Sequence, residues 1–289
     1  MKPLSLWRAS LLASSSIPLA LLMLIGVPSP VWSQSQEPKP AAQNQPNASQ
    51  PKEEIKGPQR YEQEIAALEK TAKPLPPGTI LFVGSSMIRL WKLDQSFPNQ
   101  KMVNFGFGGS KTSDVNYFFD RMILAYRPER IVFYGGDNDL ASGDAPEVIA
   151  MRVDAFLTRI EKELPGTKVA VLAIKPSPNR INFLEAQSYT NSLLEFICAL
   201  HPSSQFVDTF TPVLAGGLRP KADLFDKDQL HFNEAGYAVW AKTLTPVLTQ
   251  SNFALSTTPT VAQPLRQYRI LRSIPGAPQR RRILPWRNP

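Results

Sequence analysis

The residues with chemistry to offer stand in a few short polar segments. Ser85 and Ser86 follow the apolar run Ile80–Val83 directly, in the break Gly84-Ser85-Ser86. A serine in a turn between a buried strand and a helix has an exposed hydroxyl and a backbone N–H near a helix N-terminus. To act as a nucleophile it needs a base, and the base needs a partner that orients it. The chain has two histidines. His201, in Leu200-His-Pro202, reads as a helix-terminal residue. His231 stands three residues after Asp228, just ahead of a helix that Asn233 can cap. At that spacing a carboxylate can hold one ring nitrogen while the other faces a serine, the arrangement used in acyl transfer. The plainer alternative is a surface turn capping the last helix. Asp226 is a second carboxylate within reach, at a less suitable spacing.

Two further segments supply backbone amides and polar side chains. Asn104-Phe-Gly-Phe-Gly-Gly-Ser-Lys-Thr112 is a glycine-rich loop, and Gly135-Gly-Asp-Asn-Asp139 carries Asn138. The glycines invite a nucleotide reading that the details refuse. A Walker A loop needs Gly-Lys-Ser/Thr, but Ser110 precedes Lys111. The dinucleotide pattern begins at Gly106 and Gly108 but meets Lys111 at its last position. The nucleophile elbow G-x-S-x-G also fails, with Ile88 at its final glycine.

Residues 61–250 supply the elements that must position these segments. Strand-like runs occur at Ile80–Val83, Met102–Phe105, Arg130–Tyr134, Lys168–Ile174 and Gln205–Phe210. Apolar residues at helical spacing follow them: Val115, Phe118, Phe119, Met122 and Ile123; then Ile149, Val153, Phe156, Leu157 and Ile160. Asp144 and Glu147 look like a capping box for the second set, with Pro146 in its first turn. The last helix carries Tyr237, Trp240, Ala241, Leu244 and Leu248 on one stripe. Near-continuous apolar strands alternating with amphipathic helices imply a mainly parallel five-stranded sheet covered on both faces, a three-layer α/β/α sandwich. The loops leaving the C-terminal ends of such strands converge on one edge, which gathers the polar segments there.

Charge and composition bound the partners. The formal net charge is +8. Residues 1–33 hold +2 of it and residues 251–289, with seven arginines and no acids, hold +7, leaving −1 for residues 34–250. A basic nucleic-acid-binding face on the folded part is therefore unsupported, and no nucleic-acid partner is expected. The single cysteine, Cys198, excludes an internal disulfide and reads as a small core residue within Leu193–Leu200.

The ends read as extensions. Residues 1–33 have a basic start, an apolar stretch from Leu11 to Val27, and Val31 and Ser33 at −3 and −1 of a cleavage site, the layout of a signal peptide. Export to the periplasm or exterior is expected, with membrane anchoring if the leader is retained. Residues 34–60 are a Pro/Gln-rich linker with too little apolar surface to order. Residues 251–289 form a basic, Pro-containing tail suited to contact an acidic envelope surface.

Taken in order, the four polar segments resemble the SGNH (GDSL-like) hydrolase family over about Pro77 to Leu248. The family's Gly-Asp-Ser corresponds to Gly84-Ser85-Ser86, its glycine motif to Gly109, its Gly-x-Asn-Asp to Gly136-Asp137-Asn138-Asp139, and its Asp-x-x-His to Asp228 and His231. The resemblance implies a flavodoxin-like fold and a Ser86, Asp228, His231 triad. It also implies an oxyanion hole formed by the N–H groups of Ser86 and Gly109 and the Asn138 side chain. The activity implied is hydrolysis of acyl or acetyl esters of sugars or lipids, without cofactor or metal. Two residues depart from the pattern. Ser85 replaces an acid, leaving it as a second serine to consider, and Asp137 brings a charge to the pocket edge. Trp91, Phe105, Phe107 and Tyr134 are candidate pocket walls or core residues. A non-catalytic envelope protein binding a carbohydrate or acyl group in the same cleft is the competing reading.

Overall fold

The computed structural model describes residues 57–249 apart from Ala72, Gly217 and Leu218. The expected leader, nearly all of the linker and the basic tail lie outside the described residues. The chain enters at a 3-10 turn, Pro58–Tyr61, a few residues ahead of the expected domain start, and Arg60 pairs there with Asp114 at 3.1 Å.

Five strands form the sheet: β1 Ile80–Gly84, β2 Met102–Gly106, β3 Arg130–Tyr134, β4 Lys168–Leu172 and β5 Ser204–Val207. Their order is β2-β1-β3-β4-β5, with every neighbouring pair parallel, which is the flavodoxin-like order. The chain winds one way from β1 to β2 and the other from β3 onward. The crevice at the strands' C-terminal ends therefore opens between β1 and β3. A two-stranded antiparallel piece, β6 Leu214–Ala215 with β7 Arg219–Pro220, lies outside this sheet.

Side chains alternate across the sheet with the period of two that strands impose. Leu81, Val83, Ile131, Phe133, Val169 and Val171 face one way. They pack against α1 Glu62–Leu68, α4 Thr112–Tyr117, α5 Phe119–Met122, α7 Pro146–Glu163 and α8 Leu184–Leu200. Ile80, Phe82, Val132, Tyr134, Ala170 and Leu172 face the other way, against α2 Ser86–Arg89, α3 Leu93–Ser96 and α9 Glu234–Thr249. The remaining helix, α6 Asp137–Ala141, follows β3. The three-layer α/β/α reading holds. On the second face Trp240 is fully buried, with ring centroids 5.6 Å from Trp91, 5.0 Å from Tyr134 and 5.0 Å from Phe232, and its indole N–H donates to the Thr209 carbonyl at 3.1 Å. Truncating such a residue costs about 3–5 kcal/mol, a large part of a domain's net stability.

Local details depart from the expected pattern for identifiable reasons. The stripe Val115–Ile123 is buried as expected but spans two short helices, α4 and α5, broken at Phe118. The run Thr112-Ser-Asp-Val-Asn-Tyr-Phe-Phe119 contains no strong helix former to carry one helix through. The expected capping box is not formed, since Ala145 is the N-cap of α7. Asp144 instead accepts from Arg152 at 2.7 Å and lies 3.6 Å from the Lys111 amine, while Glu147 accepts from the Tyr189 hydroxyl at 3.1 Å. Pro146 does occupy the first turn. Among the described residues, no helix is long and apolar enough to cross a membrane.

Candidate active site

β1 delivers Gly84, Ser85 and Ser86 to the mouth of the crevice. Ser85 is the N-cap of α2 and Ser86 its first residue, so the Ser86 N–H has no acceptor inside the helix. The helix sits close on the end of β2 because position 106 lacks a side chain. A Cβ on Gly106 would fall 2.1 Å from the Arg89 nitrogen. Ser85 is 3% exposed and Ser86 half-buried, so the second serine is the accessible one.

The Asp-x-x-His turn closes over this serine. His231 Nε2 lies 2.9 Å from Ser86 Oγ, and His231 Nδ1 lies 2.5 Å from Asp228 Oδ2. An ionised carboxylate only accepts, so Nδ1 carries the ring proton and Nε2 is left to accept from the serine hydroxyl. The other Asp228 oxygen, Oδ1, accepts the backbone N–H groups of Leu230 and His231, each at 2.9 Å. Partial burial works against the Asp228 charge, but the bonds from the His231 ring and from these two amides outweigh it and hold the carboxyl at about 2. Asp226, the other carboxylate considered, serves the turn through its backbone, donating to the His231 carbonyl at 2.8 Å. Asn233 caps α9 as expected, accepting the Gly236 N–H at 3.1 Å.

Two loops after β2 and β3 bring the remaining residues alongside. Gly109 adopts φ +75°, a conformation that favours glycine. Its loop is tied to the serine turn by the Phe107 N–H (3.0 Å) and the Ser110 hydroxyl (3.3 Å), both donating to the Gly84 carbonyl. Asn138 lies in the first turn of α6, behind Gly136 at φ +111°, where a Cβ would meet Ile174 at 2.6 Å. Its Nδ2 donates to the Ser110 carbonyl at 3.0 Å, linking the two loops. Asp139 braces them further. It accepts from the Thr112 hydroxyl at 2.5 Å, the Thr112 N–H at 3.1 Å and Arg152 at 3.0 Å, while burial pushes its carboxyl up.

Asp137 departs from expectation, and the structure decides the open readings of the aromatics, His201 and Cys198. Asp137 does not present a free charge to the pocket. It is 4% exposed, 2.9 Å from Arg180 and 3.7 Å from the fully buried Lys175, and it accepts from Gln187 at 3.2 Å. Burial drives the Lys175 amine down to about 8, with Asp137 opposing the shift. Phe105, Phe107 and Tyr134 are core residues, at most 1% exposed. Trp91 is 2% exposed and borders a groove of about 620 Å³ beside α9, shared with Leu90, Phe232 and Tyr237, and neither Ser86 nor His231 lines that groove. His201 keeps its helix-end place, fully buried, 2.9 Å from Asp154 and 3.1 Å from Glu161. Cys198 is buried, and burial pushes its thiol up to about 12.

One segment escaped the sequence reading. After β4, Pro178–Phe183 forms a 3-10 turn interrupted at Arg180. Asn179 holds the Asp-x-x-His turn, donating from its backbone to the Gln229 carbonyl at 3.0 Å and from its side chain to the Asp228 carbonyl at 3.1 Å. Arg180 holds Asn138, donating to Oδ1 at 3.0 Å. No motif marks this pair. The available signal was its place in a loop at the C-terminal end of a strand, the edge on which the other four segments meet.

The fold agrees with what the chain resembles. A model of the GDSL-like Lipase/Acylhydrolase family matches residues 90–239, and the chain belongs to that family of acylhydrolases and esterases. The matched stretch begins just after the serine turn and includes Gly109, Asn138, Asp228 and His231. Platelet-activating factor acetylhydrolase IB subunit alpha2 of Gallus gallus is 28% identical over 207 residues, 68% of this chain and 87% of that protein. Among solved structures, a GDSL-like lipase from Bacteroides thetaiotaomicron aligns with TM-score 0.55 at 19% identity, over 66% of this chain and 96% of its own. An acetylxylan esterase, Axe2 from Geobacillus stearothermophilus, solved as a catalytic mutant, aligns with TM-score 0.51 at 14% identity, over 65% of this chain and 100% of its own. At these identities the structural matches speak for the fold.

Proposed function

We propose that this protein is an exported serine esterase that cleaves carboxylic esters through an acyl-enzyme intermediate. The observation that carries the reading is the connected line Ser86 Oγ, His231 Nε2, His231 Nδ1, Asp228 Oδ2, with separations of 2.9 and 2.5 Å. His231 takes the hydroxyl proton as Ser86 Oγ bonds to the ester carbonyl carbon, and Asp228 stabilises the imidazolium that results. The imidazolium returns the proton to the departing alcohol as the ester C–O bond breaks. Water, deprotonated by the same imidazole, then releases the acid and restores Ser86. The N–H groups of Ser86 and Gly109 and the Asn138 Nδ2 are the donors assigned to the oxyanion.

The substrate class proposed is acyl or acetyl esters of sugars or lipids. Two of the proteins it resembles are named for acetyl ester cleavage, the chicken acetylhydrolase and the acetylxylan esterase, which supports testing acetyl esters first. The N-terminal layout supports export, and the basic tail supports contact with an acidic envelope surface. Hydrolysis of p-nitrophenyl acetate and longer homologues, followed by acetate release from acetylated polysaccharides, tests the reading. Turnover is expected on the short esters, and absence of turnover on every ester would oppose it.

The oxyanion assignment makes a separate prediction. Asn138→Ala should lower kcat about 100- to 1000-fold, the usual effect of removing one oxyanion donor. The variant should remain folded, with some stability lost along with the Ser110 and Arg180 contacts, and wild-type turnover in it would remove Asn138 from the site.

A further inference from the structure

We infer that Arg180 is a positioning residue that locks the Asn138 side-chain amide in the orientation an oxyanion requires. The inference rests on the reading of Asn138 as an oxyanion donor. An amide can sit in its site in two orientations related by a flip, which exchange a two-hydrogen donor for an acceptor. At Asn138 the surroundings permit one. Nδ2 donates to the Ser110 carbonyl at 3.0 Å, and Oδ1 accepts from Arg180 Nη2 at 3.0 Å. The flipped amide would set NH2 against a guanidinium that can only donate, and Oδ1 against a carbonyl that can only accept. The observed orientation leaves the second Nδ2 hydrogen for a ligand.

Arg180 can impose this choice because it is itself fixed. Its side chain is 15% exposed, and its Nη1 lies 2.9 Å from Asp137 Oδ1. Asp137 is held in turn by Gln187 Nε2 at 3.2 Å and by the Lys175 amine at 3.7 Å. The guanidinium spans two acceptors, one on Asp137 from Nη1 and one on Asn138 from Nη2, which a lysine ammonium on its flexible stem cannot reproduce with the same geometry. The cation beside Oδ1 also polarises the amide, making its N–H a stronger donor. Asp137, the departure from the family pattern in Gly136-Asp137-Asn138-Asp139, thereby gains a purpose: it anchors the arginine.

The test is a double-mutant cycle with kcat and KM measured for each member on one p-nitrophenyl ester. Arg180→Met should lower kcat about 10- to 100-fold, short of the loss of the donor itself, and leave KM within about twofold. In the Asn138→Ala background the same change should cost no more than about twofold, because the group it positions is gone. Arg180→Lys should show a loss of the same kind, again confined to the background that retains Asn138, and it serves if the methionine variant does not fold. Equal losses in both backgrounds, or an effect on KM alone, would overturn the inference. If Asn138→Ala itself turns over like wild type, the oxyanion reading fails first, and that result is distinguishable from additivity.

Discussion

Ser86→Ala is expected to lower kcat about a million-fold while leaving a folded protein, the loss seen when a triad nucleophile is removed. The substitution deletes one oxygen. Alanine is a better helix former than serine, and the residue opens α2 without serving as its cap, since Ser85 holds the N-cap position. Folding should therefore be indifferent to the change, and thermal unfolding should report a midpoint close to wild type. The reaction cannot be indifferent, because Ser86 Oγ is the atom 2.9 Å from His231 Nε2. Ser85→Ala is the control. Ser85 is 3% exposed, and its replacement should leave turnover near that of the parent. Steady-state kinetics on p-nitrophenyl acetate decide between the serines, and a collapse confined to the Ser85 variant would reverse the assignment.

Asp228→Asn should cost about 10⁴-fold in kcat with little change in KM, as expected when the orienting carboxylate of a triad is neutralised. The variant retains an oxygen that can accept the Leu230 and His231 amides, so the turn should persist. Its NH2 would face Nδ1 in place of Oδ2. The ring must then accept at Nδ1 and carry its proton on Nε2, pointing a donor at Ser86 and leaving no base. A pH profile gives the same residue a second signature. The wild-type carboxyl is held at about 2, so it stays ionised through the range in which an imidazole titrates. Asp228 should therefore add no ionisation of its own to the acid limb of kcat/KM. A two-proton acid limb above pH 4 would contradict the assignment of Asp228 as a permanently charged partner.

Much of this was legible from residue types and order. The five strands and the last helix follow from apolar runs and stripes whose periods are strong, and the sheet's burial on both faces follows from strands with no polar alternation. Asp228 and His231 could be singled out because the chain has two histidines, one of them three residues from an aspartate, whereas Ser86 was named through the family resemblance of the four ordered segments. What could not be read depended on long-range pairing. Asp144 looked like a cap because of its spacing from Glu147, yet Arg152 and Lys111 supply opposite charges that a local pattern does not reveal. Asp137 looked like an exposed charge because its partners, Lys175, Arg180 and Gln187, are 38, 43 and 50 residues further along the chain. The role of Asn179 and Arg180 was hidden for the same reason. Neither lies in a motif, and only the meeting of strand ends at one edge of the sheet places them at the site.

The most direct measurement of the central claim is the position of a fluorophosphonate adduct on the purified protein. The reagent phosphonylates a serine whose hydroxyl is activated by an adjacent base, releasing fluoride, and peptide mass mapping locates the modified residue. One adduct per chain is expected, on Ser86, absent from Ser86→Ala and strongly slowed in Asp228→Asn. An adduct on Ser85, or no adduct on a folded wild-type protein, would contradict the assignment of Ser86 as the nucleophile of a serine esterase.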